Sequence, residues 1–351
     1  MVLTPPLALW VVPVSDLAGV ARHVLDVART GIPGWRLVFL VPPGDLPREL
    51  RSVGANVIER PFGPDHGLPS SARALRDVVR TLRPEVVHTH LSYADIVAGL
   101  AVHGPRLVTT EHGIARDDVV YHRSSAKARV MASVHAVRLR RFDAAIAVSR
   151  ATADAMREKW HPHRPITVIP NGVDPVDHVP RGPGLRILSL ARLAPEKRLP
   201  ALIDGFARLA ADQPGARLTL AGTGDLESAL RAQVERLGLA QSVVLPGFVD
   251  PTAAMADHDV LAMLSVWENC SYALLDAAAA GMGVVASDVG GNPEILPPTS
   301  LVDATDAEAV AIALADQGLQ KVARPALADW PTVAEMCVRI AAVYDATRRP
   351  R

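Results

Sequence analysis

The chain has 351 residues, 49% of them hydrophobic but only 4% aromatic, so its cores must be built from Ala, Val, Leu and Ile. Basic and acidic residues balance at 37 each, which excludes bulk attraction to nucleic acid or an anionic membrane while leaving local patches open. Two isolated cysteines, Cys270 and Cys337, supply neither a disulfide framework nor a metal cluster; the length points to about two domains, in a reducing compartment.

Residues 7–12 form an apolar run that lacks a basic leader, is flanked by prolines and is followed by a helical pattern. It predicts a first buried strand rather than a signal peptide. Short apolar runs at 36–41, 85–89, 106–110, 144–148 and 166–169, with helix-length segments between them, predict buried parallel strands joined by crossover helices. Proline and glycine exclude regular structure from 170 to 184 and mark a linker. The pattern restarts at 185–190, 217–221, 243–245, 260–264 and 284–286. Between 330 and 348, Val333, Met336, Val338, Ile340 and Val343 recur at near-helical spacing and predict an amphipathic helix. The expected fold class is therefore α/β, with two Rossmann-like domains, 1–172 and 185–328, joined by a linker at 173–184 and facing across a cleft. The helix within 329–351 is expected to pack back toward the first domain. No segment reaches the roughly 18 uninterrupted apolar residues of a membrane span, and a cytoplasmic location is expected.

The residues suited to chemistry concentrate in the second half. Arg192 and Lys197 share the loop Ala191-Arg192-Leu193-Ala194-Pro195-Glu196-Lys197 after the strand at 185–190. A guanidinium offers a planar fork of donors and an ammonium a compact point charge, so the two can neutralise a leaving diphosphate. Lysine is scarce, occurring only at 127, 159, 197 and 321, which makes Lys197 informative. Glu268 and Asp276 lie in Trp267-Glu268-Asn269-Cys270-Ser271-Tyr272-Ala273-Leu274-Leu275-Asp276. Ser271 is a candidate N-cap there, so Glu268 would precede a helix, Asp276 would lie inside it, and N–H groups near Ser271 and Tyr272 would face a phosphate. Gly290-Gly291-Asn292-Pro293-Glu294 and Gly222-Thr223-Gly224-Asp225 each follow a strand, a placement that tight turns alone would explain.

In the first half, Gly19 opens the helix after the first strand, with Arg22 one turn on, and His112 closes the strand in Thr109-Thr110-Glu111-His112-Gly113. His88 and His90 fall on one face of an extended segment, a pairing able to bind metal, but no further ligand cluster at suitable spacing accompanies them. A structural or acceptor-lining role is expected for the pair, and no metal site. Asn171-Gly172-Val173-Asp174 reads as a turn and hinge.

These ordered motifs, running from Gly19 to Glu294, resemble those of the retaining glycosyltransferases of family 4, whose architecture is called GT-B. The resemblance implies that Arg192 and Lys197 hold a donor diphosphate, and that Glu268 and Asp276 fill the family's Glu-x7-Glu motif, meeting the donor sugar and the nucleotide ribose. Asp276 is one methylene shorter than the glutamate of that pattern. The resemblance places Gly222, Ser271, Tyr272, Gly291 and Glu294 around the nucleotide and donor, and His112 in the active site. Gly19 would approach donor phosphate or acceptor, although many relatives carry Gly-Gly where this chain has Ala18 and Gly19. The implied reaction moves a sugar from a nucleotide-diphosphate sugar to the hydroxyl of a glycan, lipid-linked or small-molecule acceptor. The donor would bind mainly in the second domain and the acceptor in the first, with no metal, no cofactor and no nucleic-acid partner. A sugar-nucleotide epimerase of the same fold and a catalytically silent partner subunit are the alternatives, the second disfavoured by retention of Arg192 and Glu268. A pyridoxal-phosphate phosphorylase would need a Schiff-base lysine, and none of the lysines sits in an identifiable setting.

Residues 123–141 combine Lys127, Arg129, Arg138, Arg140 and Arg141 with Val130, Met131, Val134 and Val137, predicting a basic helix with one apolar side. Either that side packs on its own sheet with the cations solvated, or the helix rests peripherally on an anionic membrane and presents a lipid-linked acceptor.

Overall fold

A strand whose every residue is apolar needs cover on both faces, and the parallel sheets of α/β proteins provide it. Leu7–Val11 (β1) is such a strand, buried throughout. In the computed structural model, which describes residues 4–114, 137–176 and 182–348, strands of this kind build two sheets in two units. Unit 1 comprises Met1–Gly172 with Pro331–Arg351, and unit 2 comprises Val173–Trp330.

The sheet of unit 1 runs in the order Val57–Glu59 (β3), Arg36–Val41 (β2), β1, Val86–His90 (β4), Arg106–Glu111 (β5), Ala144–Ala147 (β6) and Ile166–Val168 (β7). The sheet of unit 2 runs Val243–Gly247 (β10), Arg217–Ala221 (β9), Arg186–Leu190 (β8), Val260–Met263 (β11), Gly283–Ser287 (β12) and Leu301–Val302 (β13). All of these pairings are parallel. Each order reverses once, between β1 and β4 in unit 1 and between β8 and β11 in unit 2. Connections leave such a point toward opposite faces and open a crevice at the carboxyl ends of the strands, where open α/β sheets bind ligands. Topology thus singles out the loops after β1, β4, β8 and β11.

The short edge strands β3 and β13 are not legible as apolar runs, because three and two residues are too few to show a pattern. The terminal helix Val333–Ala346 begins in a capping box: Glu335 N–H donates to Thr332 Oγ1 at 3.2 Å and Thr332 N–H to Glu335 Oε2 at 2.8 Å. Its buried face joins the core of unit 1 beside β1 and the helix Gly19–Thr30. At the centre, Trp10 Nε1–H donates to Tyr344 Oη at 2.9 Å, so the phenol's own proton goes to His88 Nδ1 at 2.6 Å, and His88 Nε2–H donates to Thr110 Oγ1 at 2.8 Å. Burial pushes the Tyr344 phenol well above its ordinary value, which keeps that proton in place.

Unit 1 also contains a buried charge network. Arg138 Nη2 donates to Glu111 Oε2 at 2.8 Å, and Nη1 lies 3.3 Å from Asp95 Oδ2. Asp95 further accepts from Thr89 and Thr109, and the guanidinium lies over the Trp160 ring at 4.8 Å. One cation faces two carboxylates, and burial raises both Asp95 and Glu111 above the ordinary carboxyl range, against the pull of Arg138. This corrects the reading of Arg138 as a solvated or membrane-facing cation: its side chain is 2% exposed and belongs to the core. Most of the expected basic helix, residues 115–136, lies outside the described residues. Arg140 and Arg141 are exposed, and Arg141 donates to the Val102 carbonyl at 2.9 Å. Among the described residues, no helix is long and apolar enough to cross a membrane.

Two outcomes follow for stability. Replacing Tyr344 by Phe orphans the Trp10 donor and a His88 nitrogen, and urea unfolding should show a loss of roughly 1–3 kcal/mol per orphaned group. Arg138→Ala strips two buried carboxyls of their cation and should cost about 3–5 kcal/mol near neutral pH. A carboxyl with a raised folded pKa stabilises fully below its unfolded value and loses that contribution as pH rises, so the deficit relative to the parent should be smaller at pH 5 than at pH 8. An equal deficit at both would mean that the carboxyls are not buried as charged groups.

Candidate functional site

In unit 2 the switch-point loops after β8 and β11 are stitched to the loops after β9 and β12 in one surface by backbone hydrogen bonds. Leu193 N–H donates to the Thr223 carbonyl at 2.9 Å, Val266 N–H to Glu196 at 2.8 Å, and Gly291 N–H to Glu268 at 2.9 Å. The loops that carry Arg192, Lys197, Gly222, Glu268 and Gly291 therefore cannot move independently. Glycine is required at two of these contacts. Gly222 (φ 140°) and Gly290 (φ 54°) lie in conformations that L side chains rarely adopt, and a Cβ would collide with the carbonyl of Ala191 in the first case and of Glu268 in the second.

Within this surface each cation is held by a carboxylate. Lys197 Nζ donates to Glu268 Oε1 at 2.6 Å, with both side chains mostly buried. Arg192 donates to Glu196 Oε1 at 2.6 Å, but its side chain is 74% exposed. An ion pair in water contributes only about 0–1 kcal/mol, so Arg192 can exchange Glu196 for another anion at little cost. Glu196 is a residue that sequence reasoning missed; its i,i+4 spacing from Arg192 was the available signal. Ser271 stands at the N-cap of the helix Tyr272–Ala279, but its side chain makes no cap bond, which leaves the hydroxyl available to a ligand. Asp276 lies inside that helix and Glu268 before it. Glu294 lies in the short helix Asn292–Ile295 after the glycine pair.

In unit 1 the switch point is lined by imidazoles. Gly19 is exposed at the start of its helix, with open space where a Cβ would lie, and Arg22 one turn on pairs with Asp26 at 2.7 Å. The next inward-facing position is His23, which is buried and whose Nδ1 lies 3.2 Å from Asn171 Oδ1. His90 ends β4, half-buried His112 follows β5, and His90 Nδ1 lies 2.9 Å from His112 Nε2. Burial holds His23 down to about 4, and holds His88, His90 and His112 well below the ordinary imidazole value, with neighbouring imidazoles adding to the effect for those three. All four rings are neutral at pH 7. The structure brings together His112 and His90, and adds His23, which sequence reasoning passed over because nothing in a helical period separates a core histidine from a site histidine. His88, expected with His90 to be structural or acceptor-lining, uses both ring nitrogens on Tyr344 and Thr110.

Family models match in two stretches: "Glycosyltransferase Family 4" over residues 17–177 and "Glycosyl transferases group 1" over residues 184–317. The chain is 30% identical to glycogen synthase of Mycobacterium tuberculosis over 226 residues, 61% of this chain and 55% of that protein. It is 28% identical to the putative colanic acid biosynthesis glycosyltransferase WcaL of Escherichia coli over 261 residues, 68% of this chain and 62% of that protein. The chain thus matches only about half to three-fifths of the length of these relatives. Among solved structures, Anabaena Alr3699/HepE in complex with UDP-glucose superposes with a TM-score of 0.77 at 20% identity, covering 97% of this chain and 98% of that one. The lipopolysaccharide outer core galactosyltransferase WaaB superposes with a TM-score of 0.71 at 15% identity, covering 97% and 99%. With both domain families matched in order and the two parallel sheets superposing on these folds, the chain belongs to the family 4, group 1 glycosyltransferases of GT-B fold.

Proposed function

We propose that the protein transfers a glycosyl unit from a nucleotide-diphosphate sugar to an acceptor hydroxyl with retention of anomeric configuration. One observation carries this reading: the switch-point loops of unit 2 place Arg192, Lys197 and Glu268 on one surface, with Lys197 fixed 2.6 Å from Glu268. A carboxylate-anchored ammonium and an exchangeable guanidinium are what a departing diphosphate needs. That HepE is solved with UDP-glucose supports a nucleotide-sugar donor.

In this reading Lys197 and Arg192 take up charge as the bond between the sugar C1 and the diphosphate oxygen ionises. Glu268 anchors Lys197 through Oε1 and turns Oε2 to a sugar hydroxyl. Asp276 meets the ribose, and Ser271, Tyr272, Gly222, Gly291 and Glu294 line the nucleotide and donor. The acceptor hydroxyl attacks C1 from the face the diphosphate leaves, and its proton passes to a diphosphate oxygen, so configuration is retained without a covalent enzyme intermediate. In unit 1 the neutral His112 is assigned to sugar hydroxyls near the reacting carbon, and Gly19 to donor phosphate or acceptor. The fixed cations make a metal unnecessary for this chemistry, and a cytoplasmic setting without a nucleic-acid partner fits the balanced charge.

A screen of UDP-, GDP-, ADP- and TDP-sugars for acceptor-dependent nucleotide release tests the reading; release without a glycosylated product would favour the epimerase alternative. Arg192→Ala and Lys197→Ala should each lower turnover by about 100- to 1000-fold, the equivalent of ~3–4 kcal/mol in the transition state, with far smaller effects on unfolding. Near-normal turnover in both would remove the diphosphate assignment. Transfer should also persist in EDTA, whereas complete loss restored by one divalent ion would contradict the proposed role of the two cations.

A further inference from the structure

The imidazoles at the switch point of unit 1 are not all accounted for by hydrogen bonding. His23 Nδ1 faces an amide oxygen, Asn171 Oδ1, so it carries the ring proton and Nε2 presents a bare lone pair. That nitrogen is buried and has no partner, and neither has His90 Nε2. His90 Nδ1 and His112 Nε2 share one proton at 2.9 Å, and His90 Nε2 is bare when its Nδ1 is the donor. Burying ring nitrogens without partners is costly, and two such orphans in one cluster call for a ligand. Ring nitrogens of His23, His90 and His112 lie within 4.8 Å of one another. Ligand nitrogens around a tetrahedral zinc ion are about 3.3 Å apart, given Zn–N bonds of ~2.0–2.1 Å. Rotation about the soft Cβ–Cγ torsion of histidine can close that gap, most easily for half-buried His112.

We infer that His23, His90 and His112 form a binding site for one divalent transition-metal ion of the zinc class. Three neutral imidazoles match the preference of such ions for nitrogen donors, and hard magnesium or calcium would be poorly served. His23 carries its own outer support: the Nδ1–H bond to Asn171 fixes the tautomer that points a lone pair at the ion. The fourth position lies on the His112 side, where the cluster is least buried, and stays open to water or another oxygen or nitrogen donor. The ion sits in unit 1 and takes no part in the handling of diphosphate by unit 2; because His112 also has a role in the proposed transfer, the site is tested by metal binding alone, and a failure there leaves the transfer reading untouched.

Equilibrium dialysis of the full chain against zinc, after chelator treatment and with metal content measured directly, tests it without an activity assay. The parent should bind one zinc per chain, and His23→Gln and His112→Gln should each weaken binding at least tenfold, whereas His66→Gln, at an exposed histidine outside the cluster, should leave it unchanged. Cobalt in place of zinc should give the visible spectrum of a tetrahedral nitrogen-ligated ion in the parent and lose it in the His23 variant. Circular dichroism keeps folding separate from binding, and half-buried His112 provides the variant least able to disturb the core. Equal zinc affinity in parent, His23→Gln and His112→Gln, or no stoichiometric zinc in the parent, would overturn the inference.

Discussion

Parallel pairing is the constraint on which the rest of the molecule depends. A strand that must run in the same direction as its neighbour cannot be reached by a tight turn, so the chain crosses over through a helix and every strand of a sheet ends at the same edge. That geometry gathers residues that are remote in sequence. Lys197 and Glu268 are 71 positions apart, and they meet because β8 and β11 pair side by side and finish together. His90 and His112 meet for the same reason at the ends of β4 and β5.

The two crests carry opposite electrostatic solutions. In unit 2 the charges are paired but partly wet, and the Arg192–Glu196 contact exchanges partners cheaply. In unit 1 polarity is buried and committed: Arg138 is locked between Glu111 and Asp95, and the imidazoles are kept neutral by desolvation. Glu111 joins these regions, because its Oε1 accepts the Gly113 N–H at 3.3 Å while its Oε2 holds Arg138. The backbone on either side of His112 is thereby tied to the deepest charge pair in the unit.

Much of this is legible in the amino-acid sequence itself. Long apolar runs such as 106–110 and 217–221 coincide with strands to within a residue, because full burial leaves no reason for polar interruptions. Motif residues at strand ends, Arg192, Lys197, Glu268 and Gly291, fall in the crest loops for the same reason. Partnerships were not legible. Arg138 reads as one more cation in a basic stretch, and only the three-dimensional approach of Asp95 and Glu111 makes it a core residue. His23 looks like any histidine on an amphipathic helix until β4 and Asn171 come to lie beside it. Side-chain pairing across long sequence separations leaves no periodic trace, whereas burial does.

The terminal helix has a consequence for how the molecule is made. Tyr344 sits against Trp10, 334 positions earlier in the chain, and Arg106 donates to the Tyr344 carbonyl at 3.0 Å. A ribosome that has released all of unit 2 has still not supplied the helix that completes the core of unit 1. Unit 2, drawn from one unbroken stretch, can close while synthesis continues; unit 1 must wait with the Trp10 donor unpaired until Val333–Ala346 emerges. Of these two units, the one whose sheet begins at residue 7 is the last to be supplied with its full core.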